Sequence, residues 1–130
     1  MAEPLPLSVV VIARNESRNL PRCLGSVRDW VAEMVVVLNN TTDDSEAVSR
    51  GLGAVVHHVP WQGYRDTKNA ALALASQRWV LSLDADEEVS PALRHALASF
   101  LARSDRDQFA GARFPRKVWF IDRWITHGDW

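Results

Sequence analysis

Four short apolar runs rich in β-branched residues divide the chain. They are Ser8–Ala13, Met34–Leu38, Ala54–Val59 and Trp79–Leu83. None of them alternates apolar with polar residues, as a strand with one exposed face would. Continuous apolar runs are typical of strands that are covered on both faces. The pattern therefore predicts four buried strands.

Helical patterns occupy the segments between and after these runs. The apolar face of the first predicted helix, which has Asn19 as N-cap, is formed by Leu20, Cys23, Leu24, Val27 and Val31. Further helices are predicted over 45–52 and 66–77 and after Ser90, an N-cap followed by Pro91. Strands that alternate with helices at this spacing imply right-handed crossovers. We therefore predict an α/β fold, a mostly parallel sheet with helices on both faces.

The last part of the chain has a different pattern. Residues 1–109 form the predicted strand-helix core, and Ala110–Phe114 is a candidate fifth strand. Three large apolar residues then crowd the end of the sequence, namely Trp119, Trp124 and Trp130. We interpret residues 1–130 as a single, truncated domain, in which 110–130 begins another region. Tryptophans left exposed by truncation would favour a homo-oligomer.

Composition and charge narrow the function classes. A formal charge of -1 argues against nonspecific binding to DNA or RNA, which needs a dense basic face. The single cysteine, Cys23, cannot form an internal disulfide or a multi-cysteine zinc site. The first six residues carry no basic region, and Arg14 interrupts the apolar run from Leu7. Neither a signal peptide nor a spanning helix is predicted, so a cytoplasmic location is the default expectation.

The most informative polar segment is Asp84-Ala85-Asp86-Glu87-Glu88, directly after the fourth run. In open α/β sheets, ligands bind at the carboxyl ends of the strands. Side chains alternate along an extended chain, which would point Asp84 and Asp86 the same way. Two carboxylates suit Mg²⁺ or Mn²⁺ bridging a diphosphate. The alternative is a solvated acidic loop that leads into the following helix.

Polar residues also follow the first and second runs. After the first, Arg14 could pair with phosphate and Glu16 could accept hydrogen bonds from a ribose or base. After the second, Asn39 begins a polar segment that could bind an anion at the start of a helix. Capping of the following helices explains both segments equally well.

The segment between the third run and the third helix carries cations and aromatic rings. Gly63 permits a tight turn, while Arg65 and Lys68 place positive charge at the sheet edge predicted for the carboxylates. Trp61 and Tyr64 could stack on a base or sugar, although loop aromatics more often cover the core.

These segments together resemble family 2 glycosyltransferases. The likeness is carried by 8–16, by Gly63-Tyr64 with Lys68-Asn69, and by 79–87, and it points in particular to the bacterial lipopolysaccharide-core β-glucosyltransferase group. It spans nearly the whole chain but covers only the nucleotide-binding part of such an enzyme. It implies a Rossmann-like type A glycosyltransferase fold. It also implies metal-dependent, inverting transfer from a nucleotide-diphosphate sugar to a saccharide or glycolipid hydroxyl, in lipopolysaccharide or cell-envelope polysaccharide synthesis.

The resemblance also implies roles for individual residues. The expected nucleotide-binding residues are Ala13, Arg14, Glu16, Asn39, Lys68 and Asp84, and Asp86 is expected to hold Mg²⁺ or Mn²⁺. The chain departs from the family at Leu38, where an Asp usually recognises the nucleobase, so Asn39 becomes a substitute acceptor. The family's catalytic base is expected beyond Trp130.

Three alternatives stay open at this point. A non-catalytic nucleotide-binding or scaffold fragment would share the same segments. A haloacid dehalogenase-type phosphatase also uses Asp-x-Asp, but Glu88 stands where that motif has Thr or Val. A sugar-1-phosphate nucleotidyltransferase would need a glycine-rich basic loop after the first strand.

Peripheral association with the inner membrane face would use the basic cluster Arg113, Arg116, Lys117 and Arg123.

Overall fold

The computed structural model describes residues 3–108, 118–120 and 123–125. The elements are β1 (Leu5–Ala13), α1 (Leu20–Gly25), β2 (Val31–Leu38), α2 (Ser45–Gly51), β3 (Val55–His58), α3 (Tyr64–Leu72), β4 (Trp79–Asp84), α4 (Pro91–Leu101), a 3₁₀ turn (Arg106–Gln108), β5 (Val118–Phe120) and β6 (Arg123–Ile125). The candidate strand Ala110–Phe114 lies outside the described residues, as do the side chains of the basic cluster and of Trp119, Trp124 and Trp130.

Four parallel strands form the main sheet in the order β3-β2-β1-β4. The central strand β1 pairs on both sides, so that Val9 lies opposite Met34 on β2 and Leu81 on β4. Every pair in this sheet is parallel, and all four carboxyl ends therefore meet at one edge. The predicted α/β fold with a parallel sheet is confirmed. β5 and β6 pair antiparallel in a separate ribbon.

Different helices cover the two faces of the sheet, and this burial on both faces explains the continuous apolar runs. Val9, Val11 and Val36 belong to the larger core, where α1, α2 and α4 contribute side chains. Val10 and Val37 belong to the core on the other face, which is covered by α3. Successive residues of each inner strand thus enter opposite cores, and both faces select apolar side chains.

The first helix ends earlier than its apolar period predicted. α1 stops at Gly25, and Val31 is the first residue of β2, paired with Leu5. The turns after the helix keep a similar rotation per residue. The Arg28 amide still donates to the Leu24 carbonyl and the Val31 amide to the Val27 carbonyl, each four residues back. Val27 and Val31 therefore reach the core without belonging to the helix, and the predicted helical extent was wrong.

The ends of other helices also test the predictions. Ser90 is the N-cap of α4, and its Oγ accepts from the Leu93 amide at 3.1 Å, as predicted. Asn19 occupies the N-cap of α1 but forms no side-chain cap; its Oδ1 accepts instead from the Arg22 guanidinium at 3.2 Å. α3 runs over 64–72 rather than 66–77, since it begins directly after Gly63, which has a φ of +91°.

Glu33 on β2 links the amino ends of three strands. The buried Ser8 hydroxyl of β1 donates to Glu33 Oε1 at 2.8 Å, and the Ser76 amide donates to the same oxygen at 2.8 Å. Ser8 Oγ in turn accepts from the Gln77 amide at 3.1 Å. Partial burial opposes ionisation, but the donors from Ser76 and Ser8 outweigh it, so the pKa of Glu33 lies below its ordinary 4.5.

A Glu33→Gln variant should be less stable than the wild type at about pH 7, by about 1 kcal/mol. Because the folded-state pKa is depressed, the stabilisation is present above 4.5 and is lost as the pH falls through the lower folded value. Urea unfolding of both proteins at about pH 7 and about pH 3.5 measures this. A difference that does not shrink in acid would contradict a role for the ionised carboxylate.

Within the described residues, no helix is both long enough and apolar enough to cross a lipid bilayer.

Candidate functional site

Two adjoining cavities lie at the carboxyl edge of the sheet. The β1–β2 cavity, of about 370 Å³, is lined by Ile12, Ala13, Arg14, Asn39, Asn40 and Trp61. The β1–β4 cavity, of about 160 Å³, is lined by Ile12, Trp61, Tyr64, Lys68, Ser82, Leu83 and Asp84. Ile12 and Trp61 line both, so the two cavities adjoin each other. This is the edge where parallel α/β sheets bind ligands.

Asn39 gives the β1–β2 cavity a buried polar group. The residue is 6% exposed, and its amide nitrogen donates to the Ala13 carbonyl at 3.2 Å. Within the described part of the chain, its side-chain amide has no hydrogen-bond partner and is available to the cavity. Leu38, one residue earlier, is fully buried in the larger core. The strand therefore presents an amide, with a donor and an acceptor, where it ends.

The loops around this cavity are tied together by Asn15. Its Oδ1 accepts from the amides of Thr42 at 2.8 Å and Asp43 at 3.2 Å, which joins the β1–α1 loop to the β2–α2 loop. Asn15 has a φ of +53°, a left-handed conformation that Asn tolerates better than most residues. This wall of the cavity is thus held by side-chain to backbone contacts.

Asp43 strengthens the same wall. Its carboxylate accepts from the hydroxyl and amide of Ser45 and from the Ser17 amide. The hydrogen bond from the Ser45 hydroxyl is the main reason that the pKa of Asp43 falls to about 2. Asp43 therefore stays ionised at physiological pH and binds loop donors. It is a structural group here, beside the cavity.

Aromatic rings and a cation line the β1–β4 cavity. Trp61 is 54% exposed and Tyr64 68% exposed, so they do not cover the core. Lys68 Nζ lies 5.5 Å from the centroid of the Tyr64 ring. Asp84 lines the same cavity, so a cation and a carboxylate both border one small space.

The acidic segment leaves the sheet in a turn. β4 ends at Asp84, and the Glu87 amide donates to the Asp84 carbonyl at 2.9 Å. Ala85 is buried in the core, whereas Asp84 and Asp86 are exposed. The sequence argument assumed that strand alternation extends to Asp86. It does not, because β4 ends at Asp84, and a turn exposes both carboxylates instead.

The predicted site residues fall into three groups. Ala13, Arg14 and Asn39 line the β1–β2 cavity, and Lys68 and Asp84 line the β1–β4 cavity. Two predicted residues line neither of these cavities, namely Glu16 and Asp86. The carboxylate of Glu16 accepts from Asn19, whereas Asp86 lies on the turn directly after Asp84.

Several lining residues were absent from the predicted site. They are Ile12, Asn40, Trp61, Tyr64, Ser82 and Leu83. The sequence did signal the two aromatic residues, which stand in a polar loop beside Gly63, but it could not show whether their rings faced the core. The others are the last residues of strands or directly follow one, and only the sheet order brings them together.

The carboxylates fit a hard divalent cation that takes further ligands from a substrate. Within 3–108 and the two short strands beyond, no three His, Cys, Asp or Glu side chains lie together as a complete metal site. Mg²⁺ in particular is commonly held by one or two carboxylates, with phosphate and water oxygens completing its shell. Asp84 and Asp86 provide that kind of oxygen donor beside a cavity that also contains Lys68.

Comparison with known proteins relates the chain to glycosyltransferases. The family model described as Glycosyl transferase family 2 matches residues 8–127. The chain is 36% identical over 126 residues to the lipopolysaccharide core biosynthesis glycosyltransferase LpsC of Rhizobium meliloti, covering 93% of this chain and 46% of LpsC. It is also 36% identical to an uncharacterized glycosyltransferase of Rickettsia felis, covering 79% of this chain and 36% of that protein.

Solved structures show the same fold. Glucosyl-3-phosphoglycerate synthase of Mycobacterium tuberculosis in complex with UDP aligns with a TM-score of 0.62 and 25% identity, covering 75% of this chain and 40% of the synthase. The complex of that synthase with Mn²⁺, UDP and glucosyl-3-phosphoglycerate gives a TM-score of 0.56 at 26% identity, covering 63% and 35%. The chain thus spans less than half the length of these relatives.

Proposed function

The chain belongs to glycosyl transferase family 2, and from this premise we propose that it is the donor-binding part of a longer enzyme. That enzyme transfers a sugar from a nucleotide-diphosphate sugar to an acceptor hydroxyl. One observation carries the proposal, namely that the β1–β2 and β1–β4 cavities adjoin at the carboxyl edge of the sheet. The two cavities offer the different chemistry that a base and a diphosphate require.

The β1–β2 cavity is proposed to hold the nucleoside. Its volume of about 370 Å³ suits a base with part of its ribose, and the Asn39 amide can pair with polar atoms on the edge of a base. The exposed indole of Trp61 offers a face on which a planar base can stack. Uridine is the favoured nucleoside because the structurally similar synthase binds UDP.

The β1–β4 cavity and the acidic turn are proposed to hold the diphosphate and its cation. Lys68 and the exposed Arg14 supply positive charge, and Asp84 and Asp86 supply oxygen ligands for Mn²⁺ or Mg²⁺. When bound, the cation would neutralise charge that develops on the departing diphosphate. Glu16, whose carboxylate already accepts from Asn19, is proposed to orient the ribose from the neighbouring loop.

The finer assignment follows the relatives. An acceptor in the lipopolysaccharide core or another cell-envelope saccharide is supported by the similarity to LpsC. An inverting mechanism needs a general base that deprotonates the acceptor hydroxyl. No described residue is assigned that role, and we place the base in the acceptor half of the longer enzyme. An enzyme that acts at the cytoplasmic face of a membrane would suit a glycolipid acceptor.

The proposal is tested by titrating the full-length protein with UDP-glucose, UDP and CDP in the presence of Mn²⁺, by calorimetry. Wild type should bind a sugar nucleotide, and Trp61→Ala should weaken binding about tenfold because a stacked base loses about 1–3 kcal/mol. Trp61→Phe, which keeps an aromatic face, serves as the matched control. Failure of the wild type to bind any sugar nucleotide would refute the proposal.

Transfer itself separates an enzyme from a non-catalytic binding module. Release of nucleoside diphosphate in the presence of a lipopolysaccharide-core acceptor supports the transferase. Binding without turnover over a panel of donors and acceptors would favour the module.

A further inference from the structure

The first helix contacts the acidic loop, defined here as Asp84–Val89, at three separate points. The Cys23 thiol donates to the Asp84 carbonyl at 3.6 Å. The Arg22 guanidinium donates to the Asp86 carbonyl at 3.4 Å. Ser26 Oγ accepts from the Val89 amide at 2.9 Å. One short stretch of chain at α1 thus engages the beginning, the middle and the end of the loop.

Apolar contacts hold the loop against the same helix. Ala85 and Val89 are buried in the core cluster that also contains Cys23 and Val27. Between these anchors the carboxylates of Asp84 and Asp86 stay exposed. The loop backbone is therefore fixed on the side of α1, while its charged groups face away from the core.

The contact from Arg22 also brings positive charge to the acidic loop. The loop carries four carboxylates within five residues, at 84, 86, 87 and 88, which repel one another. Glu87 relieves part of this by accepting from the Asp84 amide at 2.8 Å. Arg22 adds an exposed positive group directly at the backbone of Asp86, which offsets part of this repulsion and favours the folded loop.

The thiol of Cys23 is suited to a donor role. The side chain is fully buried, and its Sγ donates to the Asp84 carbonyl at 3.6 Å. Its burial also shields this contact from competing water.

We propose that Arg22, Cys23 and Ser26 are positioning residues that set the shape of the acidic loop for binding a divalent cation with a diphosphate. The inference rests on the proposed donor-binding function and assigns these residues no contact with cation or substrate. They touch backbone atoms beside Asp84 and Asp86, and partners of this kind orient ligands before binding. Losing them leaves the carboxylates present but misplaced.

The experiment measures Mn²⁺ binding to the full-length protein by electron paramagnetic resonance, with and without UDP. Arg22→Ala is expected to weaken Mn²⁺ binding in the presence of UDP about tenfold, the lower end of the effect seen for groups that orient metal ligands, because Arg22 contacts the backbone and not a ligand side chain. Arg28→Ala removes the same charge from an exposed site beyond the helix and should leave binding within about twofold. Arg22→Lys should restore part of the loss, since it returns the charge and a donor.

A second pair of variants separates positioning from folding. Cys23→Ala removes the donor, whereas Cys23→Ser keeps one at the same buried place. We expect Cys23→Ser to bind Mn²⁺ more tightly than Cys23→Ala, and we expect the Val89 amide to exchange with deuterium faster in Ser26→Ala than in wild type. The thermal midpoint of Arg22→Ala should match that of Arg28→Ala.

The outcomes distinguish the two proposals. If wild type binds Mn²⁺ with UDP and Arg22→Ala binds it equally well, the positioning role is refuted and the donor-binding function stands. An equal loss in Arg28→Ala would also refute it, since net charge would then explain the effect. If wild type binds UDP but no Mn²⁺, both the metal site and the positioning role fail.

Discussion

Replacing Asp86 by alanine is expected to lower kcat/KM of the full-length enzyme by about 100- to 1000-fold in the presence of Mn²⁺. Asp86 lies exposed on the turn after β4, so its removal should leave the fold intact. The carboxylate is the proposed cation ligand, and without it the charge that develops on the leaving diphosphate loses its counterion. Release of nucleoside diphosphate over a range of donor concentrations measures the effect.

Glu88→Ala is the matched control for Asp86→Ala. It removes the same charge from the same exposed loop, two residues further along the chain. We expect a change of less than about threefold, because an exposed charge that is not a ligand of the cation contributes little in water. Equal losses in the two variants would show that overall negative charge matters and would remove the specific role of Asp86. Undiminished activity of Asp86→Ala would refute the metal ligand outright.

Introducing aspartate at Leu38 should destabilise the domain by about 4 kcal/mol or more. Leu38 is fully buried in the larger core, between β1 and the helices on that face. The variant loses the burial of an isobutyl group and places a carboxylate among apolar neighbours. Since small domains are stable by only about 5–15 kcal/mol, this loss removes a large share of the total stability. Urea unfolding followed by circular dichroism measures the loss.

Two neighbouring variants make the result specific to burial. Leu38→Met nearly preserves volume and should cost less than about 1.5 kcal/mol. Asn39→Asp places a carboxylate one residue later and should be tolerated far better, because that side chain lines the β1–β2 cavity and does not pack in the apolar core. A folded Leu38→Asp protein that binds UDP more tightly than wild type would show that position 38 faces the nucleotide, and would overturn the role proposed for Asn39.

The strands were predictable because burial on both faces of a parallel sheet leaves a direct mark on composition. Val35–Leu38 had to be apolar at every position, since successive side chains enter opposite cores. The N-cap at Ser90 was predictable for an equally local reason, because its hydroxyl bonds to an amide three residues away. The end of α1 was not, because turns after Gly25 continue a similar apolar period.

The site was only partly predictable. Asp84 and Lys68 were predicted from local segments, an acidic run after an apolar one and a basic segment after Gly63, and both line the β1–β4 cavity. Trp61 was not assigned, because an aromatic ring in a loop has the same sequence signal whether it covers a core or lines a cleft. The 54% exposure of its side chain is a property of the folded chain.

The sequence by itself determined the strands, the sheet edge at which polar residues gather, and the kind of chemistry that carboxylates and cations could perform there. These follow from rules that act within a few residues, such as side-chain alternation and capping. Tertiary structure alone decided that β1 lies between β2 and β4, that Asn39 and Asp84 line adjoining cavities, and that α1 contacts the acidic loop. The physical reason is that strand order and helix docking depend on packing between residues far apart in the chain, which no local pattern records.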